Sequence, residues 1–203
     1  INPQTMSDQV LQAIGRRHTA RDIREAFCTA REVGFACINM DLIAGLPQDS
    51  VEGFRDSLEE VLALRPENIT VHTLAMKKGS RLMEEGGALP SGEETARMVD
   101  LSLEALEGAG YRPYYLYRQK YMSGGLENVS WCLPGTENHY NIIMMEELQS
   151  VLSLGAGGVT KLVDRSSGRI VRLTNPKYPH DYLAMSAKVL EQKDEILRFY
   201  REV

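Results

Sequence analysis

At 203 residues and 22.8 kDa, the chain has room for one domain, or one domain with a small appendage, and buries roughly 70% of its unfolded surface on folding. Its 43% hydrophobic and 25% charged residues exclude disorder and collagen-like structure, and no apolar run approaches the ~18 residues of a membrane span. With 23 basic against 28 acidic residues and a net charge of -5, no global positive surface offers itself to a phosphate backbone, which speaks against nucleic acid as a partner. Three scattered cysteines, Cys28, Cys37 and Cys132, make no secreted disulfide framework and favour a reducing, cytoplasmic setting. The chain opens Ile1-Asn2-Pro3-Gln4 with no signal pattern or tag, and reads as a piece of a longer protein.

The first two-thirds alternates helix-like and strand-like segments. Leu11 and Ile14 suit a short helix entered at Ser7-Asp8. Thr19 and Asp22 form a capping pair for a second helix, with Ile23, Phe27, Ala30 and Val33 at helical spacing and Gly34 at its stop. The mostly apolar run Cys37–Ile43, bounded by Gly45 and Pro47, reads as a strand buried on both faces. Asp49 and Glu52 open a helix carrying Phe54, Leu58 and Val61, and Ile69–Ala75 is the next strand. Ser91 and Glu94 form a capping box for a helix ending near Gly110, and Tyr111–Tyr117 reads as a third strand. Strands spaced by amphipathic helices predict parallel β-α units. Three strands cannot close a barrel, so preceding sequence is expected to supply the others.

After about Tyr121 the rhythm changes to a loop-rich stretch punctuated by glycine. Val159–Val163 and Arg169–Thr174 flank Ser166-Ser167-Gly168 as a hairpin, and Pro179–Tyr200 reads as one helix. The expected division is residues 1–121 for the β-α part and 122–203 for a C-terminal extension.

Asp41, near the carboxyl end of a parallel strand and followed by a Gly/Pro turn, stands where α/β folds bind ligands. Such an acid accepts hydrogen bonds from hydroxyls or pairs with an ammonium; equally, it could tie down the next turn. Arg16, in Gly15-Arg16-Arg17-His18, has the fork that holds a carboxylate. On spacing alone this pair reads as solvated charge at a helix end. Tyr111–Tyr121 interleaves aromatics with cations and reads as an edge strand with wet tyrosine hydroxyls rather than a stacking platform. The glycine-rich Leu154–Val159 lacks the order of a dinucleotide fingerprint and fits close backbone approach, to a ligand or to a second strand. His72 reads as a satisfied core histidine, and no histidine or cysteine has a partner at metal-ligand spacing.

At these same residues a resemblance enters. Gln4, Ile14–Thr19, Asn39–Pro47 and Thr70–Ala75 resemble radical S-adenosylmethionine (SAM) enzymes of the oxygen-independent coproporphyrinogen III oxidase type. Glu127–Val129, Pro134-Gly135, Tyr140–Ile142 and Met145–Glu147 fit the same branch. The resemblance implies an α/β fold, the C-terminal half of an open (β/α)6 partial TIM-type barrel plus an α+β C-terminal extension. It implies that Gln4, Arg16 and Asp41 are polar SAM contacts, Ala75 a backbone contact to the adenine and Val159 an apolar contact.

It further implies a parent enzyme in which a reduced [4Fe-4S] cluster cleaves SAM to a 5′-deoxyadenosyl radical. That radical takes a hydrogen from a propionate of coproporphyrinogen III. Loss of CO₂ and one electron leaves a vinyl group, and two such events give protoporphyrinogen IX, a step of haem biosynthesis. Arg112, Arg118 and Lys120 are candidates for the substrate carboxylates. The family's Cys-x-x-x-Cys-x-x-Cys motif is absent from this sequence, so the fragment by itself is expected to hold no cluster and to leave SAM uncleaved. Relatives of this architecture that act as haem chaperones, and radical SAM enzymes on other substrates, are the competing expectations.

Overall fold

The computed structural model describes residues 1–75, 89–117 and 126–201, which fall into two compact units, Ile1–Asn138 and His139–Val203. In the first unit, α1 (Asp8–Ala13), α2 (Ala20–Val33), β1 (Asn39–Ala44), α3 (Val51–Leu64), β2 (Asn68–Thr73), α4 (Gly92–Gly108), β3 (Arg112–Tyr117) and β4 (Asn128–Cys132) follow in order. Their boundaries have local causes. Thr19 and Asp22 make a complete capping box on α2, and Ser91 and Glu94 another on α4. Ser50 caps α3 by accepting from the Gly53 N–H. Gly34 ends α2 at φ 100°, a left-handed conformation that a side chain resists.

The sheet order is β1-β2-β4-β3. β1 and β2 pair in parallel, Asp41 opposite Thr70 and Ile43 opposite His72. The expected third strand, β3, is present but does not lie against β2. β4 is inserted between them, antiparallel to both. Some residues after Tyr121 therefore contribute a strand to the first unit, Ile1–Asn138. β3 is left at the sheet's edge, as its mixed aromatic and cationic composition predicts.

β1 also departs from expectation. Met40, Leu42 and Ala44 are fully buried while Asn39, Asp41 and Ile43 are half-buried, so the strand alternates. One face packs into a core with Phe54, Leu58 and Val61 of α3, Met98 and Leu106 of α4, and Ile69, Val71 and Trp131. The other face carries the polar residues. At the opposite end of the sheet, Glu67 accepts two bonds from Arg31 at 2.8 Å each and one from the Ile38 N–H at 2.9 Å. Glu67→Ala leaves the Ile38 N–H unpaired and takes the carboxylate from Arg31, which keeps only the Phe35 and Arg65 carbonyls, and is expected to cost about 2 kcal/mol of unfolding free energy, read by urea denaturation.

The second unit contains α5 (His139–Met145), the hairpin β5 (Val159–Val163) and β6 (Ile170–Thr174), α6 (Pro179–Ala184) and α7 (Ser186–Arg201). The hairpin forms as expected, in antiparallel register from Val159 opposite Thr174 to Val163 opposite Ile170. Asp164 holds its turn by accepting from the Ser166 N–H and the hydroxyls of Ser166 and Ser167, which pulls its pKa down to about 2. The expected single C-terminal helix is two, broken at Met185. Leu162, Leu173 and Phe199 form this unit's small core.

The glycine-rich stretch packs against its own chain. Asn175 donates its side-chain amide to the Gly155 carbonyl at 2.8 Å, and its backbone N–H to that of Gly158 at 2.9 Å. A Cβ on Gly158 would stand 2.5 Å from the Ser153 hydroxyl. Close approach of two chain segments is what requires glycine there.

Candidate functional site

The carboxyl ends of the parallel strands open onto a cleft of about 280 Å³ lined by Asn2, Gln4, Asp41, Ile43, His72, Thr73, Leu74, Ala75, Tyr117 and Asn128. Gln4 is set there by backbone pairing along the outer edge of β1. Its N–H donates to the Asp41 carbonyl at 2.9 Å, and its own carbonyl accepts from the Ile43 N–H at 2.9 Å. Gln4 takes a left-handed backbone, φ 69°, uncommon for a residue with a side chain.

A line of polar groups crosses the sheet's open face. Ser130 Oγ donates to Thr70 Oγ1 (2.8 Å) and Thr70 Oγ1 to Asn39 Oδ1 (3.1 Å). Asn39 Nδ2 in turn donates to Asp41 Oδ1 (2.6 Å). On the other side His72 Nε2 stands 3.8 Å from the same Oδ1, and its Nδ1 lies 3.1 Å from the Tyr117 hydroxyl. With the Asn2 amide oriented by its own hydrogen bonds, its nitrogen reaches Asp41 Oδ2 at 3.2 Å. Asp41 thus gathers donors on both oxygens, with part of its carboxylate left facing the cleft.

Burial pushes the Asp41 pKa up, but the polar side chains gathered around it, His72, Asn39 and Thr70, together outweigh that, so the carboxyl titrates below its ordinary 3.8. The sign follows from that depression. Asp41 contributes stability fully above the unfolded value, and the contribution is lost as pH falls through the lower folded one. Asp41→Asn is expected to flatten the stability curve below about pH 4, measured by urea unfolding across an acid series.

Among the residues expected to form a site, Gln4, Asp41 and Ala75 line this one cleft. Arg16 does not. It lies exposed after α1, and among the described residues its guanidinium has no ion pair or hydrogen bond. Val159 opens β5 in the second unit and is 44% exposed. Arg112 starts β3 and Tyr117 ends it, a strand's length of about 17 Å apart, so Arg112 stands away from the cleft. Arg118 and Lys120 lie outside the described residues. Sequence reading missed His72 and Tyr117 as cleft residues. The available signal was the alternation of β2, which puts His72 on the face of Thr70.

No family model matches the chain. Among solved structures, coproporphyrinogen III oxidase (HemN) from Escherichia coli, described as a radical SAM enzyme, matches with a TM-score of 0.65 at 19% identity, over 87% of this chain and 40% of that one. Among curated proteins, the oxygen-independent coproporphyrinogen-III oxidase-like protein HemZ of Bacillus subtilis is 40% identical over 205 aligned residues, spanning 100% of this chain and 40% of HemZ. This chain is a homologue of the coproporphyrinogen oxidase-like radical SAM proteins. It matches their C-terminal part and spans about 40% of their length. Its fold matches that of HemN over this part, mixed α/β with a partial sheet and, among the described residues, no closed barrel. The heme chaperone HemW of Bacillus subtilis is also similar, 31% identical over 129 residues, which is 62% of this chain and 34% of HemW.

The cleft's donor set fits the SAM that this kinship implies. The ionised Asp41 suits an ammonium or hydroxyls, the amides of Asn2 and Gln4 offer donors and acceptors, and Ile43 and Leu74 give apolar walls. An iron–sulfur cluster does not fit the residues present. Cys28, Cys37 and Cys132 lack the spacing of a cluster-binding motif, and among the described residues no three His, Cys, Asp or Glu side chains stand together as a metal site. No described helix is long and apolar enough to cross a membrane.

Proposed function

We propose that this chain contributes one wall of the SAM site in an oxygen-independent coproporphyrinogen III oxidase-like protein. The observation that supports it is the convergence of Gln4, Asp41 and Ala75 on one cleft at the strands' carboxyl ends. Asp41 would take the ammonium or ribose hydroxyls, Gln4 would bond a second polar group, and the Ala75 backbone would hold the adenine edge. Arg16 is proposed as a further contact, to the SAM carboxylate.

SAM, bound beside a reduced [4Fe-4S] cluster held by cysteines outside this chain, supplies one-electron chemistry to a substrate C–H bond. The residues of this chain orient the nucleoside and hold the Asp41 carboxylate ionised against it. The proposed substrate is a porphyrinogen, each of two propionates losing CO₂, a hydrogen atom and an electron. The chain alone is proposed to bind SAM weakly and to leave it intact. A cytoplasmic setting, with an electron donor yet to be named, accords with three unpaired cysteines.

The test is the parent protein, reconstituted anaerobically with iron and sulfide and given SAM, a reductant and coproporphyrinogen III, with products weighed by mass spectrometry. Loss of two carboxyl groups together with 5′-deoxyadenosine is the expected result. Unchanged porphyrinogen alongside stoichiometric haem binding would replace this reading with a chaperone function, which the similarity to HemW makes the second reading.

A further inference from the structure

His72 is the cleft residue that the polar network does not need for its own closure. Asp41 Oδ1 already receives a 2.6 Å bond from Asn39, and His72 Nε2 at 3.8 Å stands just beyond hydrogen-bond reach of it. The ring is nonetheless held. Its Nδ1 lies 3.1 Å from the Tyr117 hydroxyl, and the two rings meet edge to face at 6.3 Å. One tautomer serves both neighbours. A carboxylate beside Nε2 favours the proton on Nε2, which leaves Nδ1 as an acceptor for the tyrosine O–H. The result is an N–H donor and a carboxylate acceptor side by side, one on β2 and one on β1, both lining the cleft.

We propose that His72 is a ligand-binding residue that, paired with Asp41, recognises a vicinal diol, one hydroxyl donating to Asp41 and its neighbour accepting from His72 Nε2. Tyr117 is the positioning residue that keeps the Nε2–H tautomer. The assignment rests on the nucleoside reading above and adds to it the group that distinguishes ribose from a deoxy sugar. Hydrogen bonds to charged or fixed partners discriminate strongly because the analogue lacking the hydroxyl leaves a desolvated group unpaired.

The probes are adenosine and 2′,3′-dideoxyadenosine, titrated at millimolar concentration into the isotope-labelled chain and followed by NMR at Ala75 and the His72 ring. Adenosine is expected to shift both. Dideoxyadenosine is expected to shift Ala75 while leaving the His72 ring unmoved, and to bind about tenfold more weakly. His72→Leu should reduce that preference to the share carried by Asp41 without altering dideoxyadenosine binding, and His72→Gln, which keeps a donor, should restore most of it. Should His72→Leu fail to fold, the His72 ring nitrogen shifts in Tyr117→Phe carry the test, since losing the hydroxyl should mix the tautomers and reduce the preference. Equal affinity for the two nucleosides, with Ala75 responding to both, overturns the role of His72 and leaves the nucleoside reading standing. No response at Ala75, Asp41 or His72 to either probe overturns both.

Discussion

Asp41→Ala is expected to weaken SAM binding by about 100-fold in the parent protein, the largest loss of any single change in the cleft. The size follows from what the carboxylate does. It is the ionised group of a partly buried face, its donors on β1 and β2 already oriented, so a cationic or hydroxylated ligand meets an acceptor needing no rearrangement. Alanine removes the acceptor and strands the Asn39 amide, which then has only the hydroxyl of Thr70 to engage. Asp41→Asn keeps the shape but turns an N–H₂ toward other donors, and should lose nearly as much. Equilibrium binding of SAM, with folding checked by circular dichroism, reads the effect. Affinity within threefold of the unaltered protein would remove Asp41 from the site.

Phe54→Ala is expected to destabilise the first unit by about 3–5 kcal/mol. Phe54 is 1% exposed in the cluster that joins α3 and α4 to the sheet, and truncating it removes a ring's worth of contact and leaves a cavity that rigid strands cannot close. Val33, at the end of α2 and 72% exposed, is the internal control: Val33→Ala should move stability by no more than about 0.5 kcal/mol. Urea unfolding of the two variants separates burial from helix propensity, because both substitutions place alanine in a helix. Similar losses for both would mean that the core described around Met40, Leu58 and Phe54 does not carry the unit's stability.

Local signals were legible in the sequence and long-range pairings were not. Thr19 with Asp22, and Ser91 with Glu94, mark helix starts because the side chain that stops the chain also satisfies the orphan N–H groups. The Val159–Val163 hairpin was legible because its turn is local. β4 escaped. Its Asn-Val-Ser-Trp-Cys carries polar residues that are buried only because partners elsewhere in the chain satisfy them, Ser130 donating to Thr70 and Asn128 accepting from the Thr73 N–H. Asp41 was found by the rule that places ligands at the carboxyl ends of parallel strands. Gln4 and Ala75 came only from family resemblance, since a glutamine and an alanine announce no chemistry. His72 was read as core because its role depends on Tyr117, 45 residues on, and no local pattern encodes that meeting.

The insertion of β4 between β2 and β3 sets an order of assembly. A ribosome releases β1, α3 and β2 first, and these can pair as soon as they emerge. β3 follows with no edge of its own to join, for the edge that receives it belongs to β4, made later. Until Asn128–Cys132 has been synthesised, a tyrosine-rich strand stays unpartnered and the flank of β2 stays open, both exposed to wrong pairings. Closure of the sheet is then a single late event, in which one five-residue strand seats two neighbours at once and brings Tyr117 to His72. The cleft is therefore completed at the same moment as the sheet, so a nascent chain that stalls before β4 carries Asp41 but only part of its binding wall.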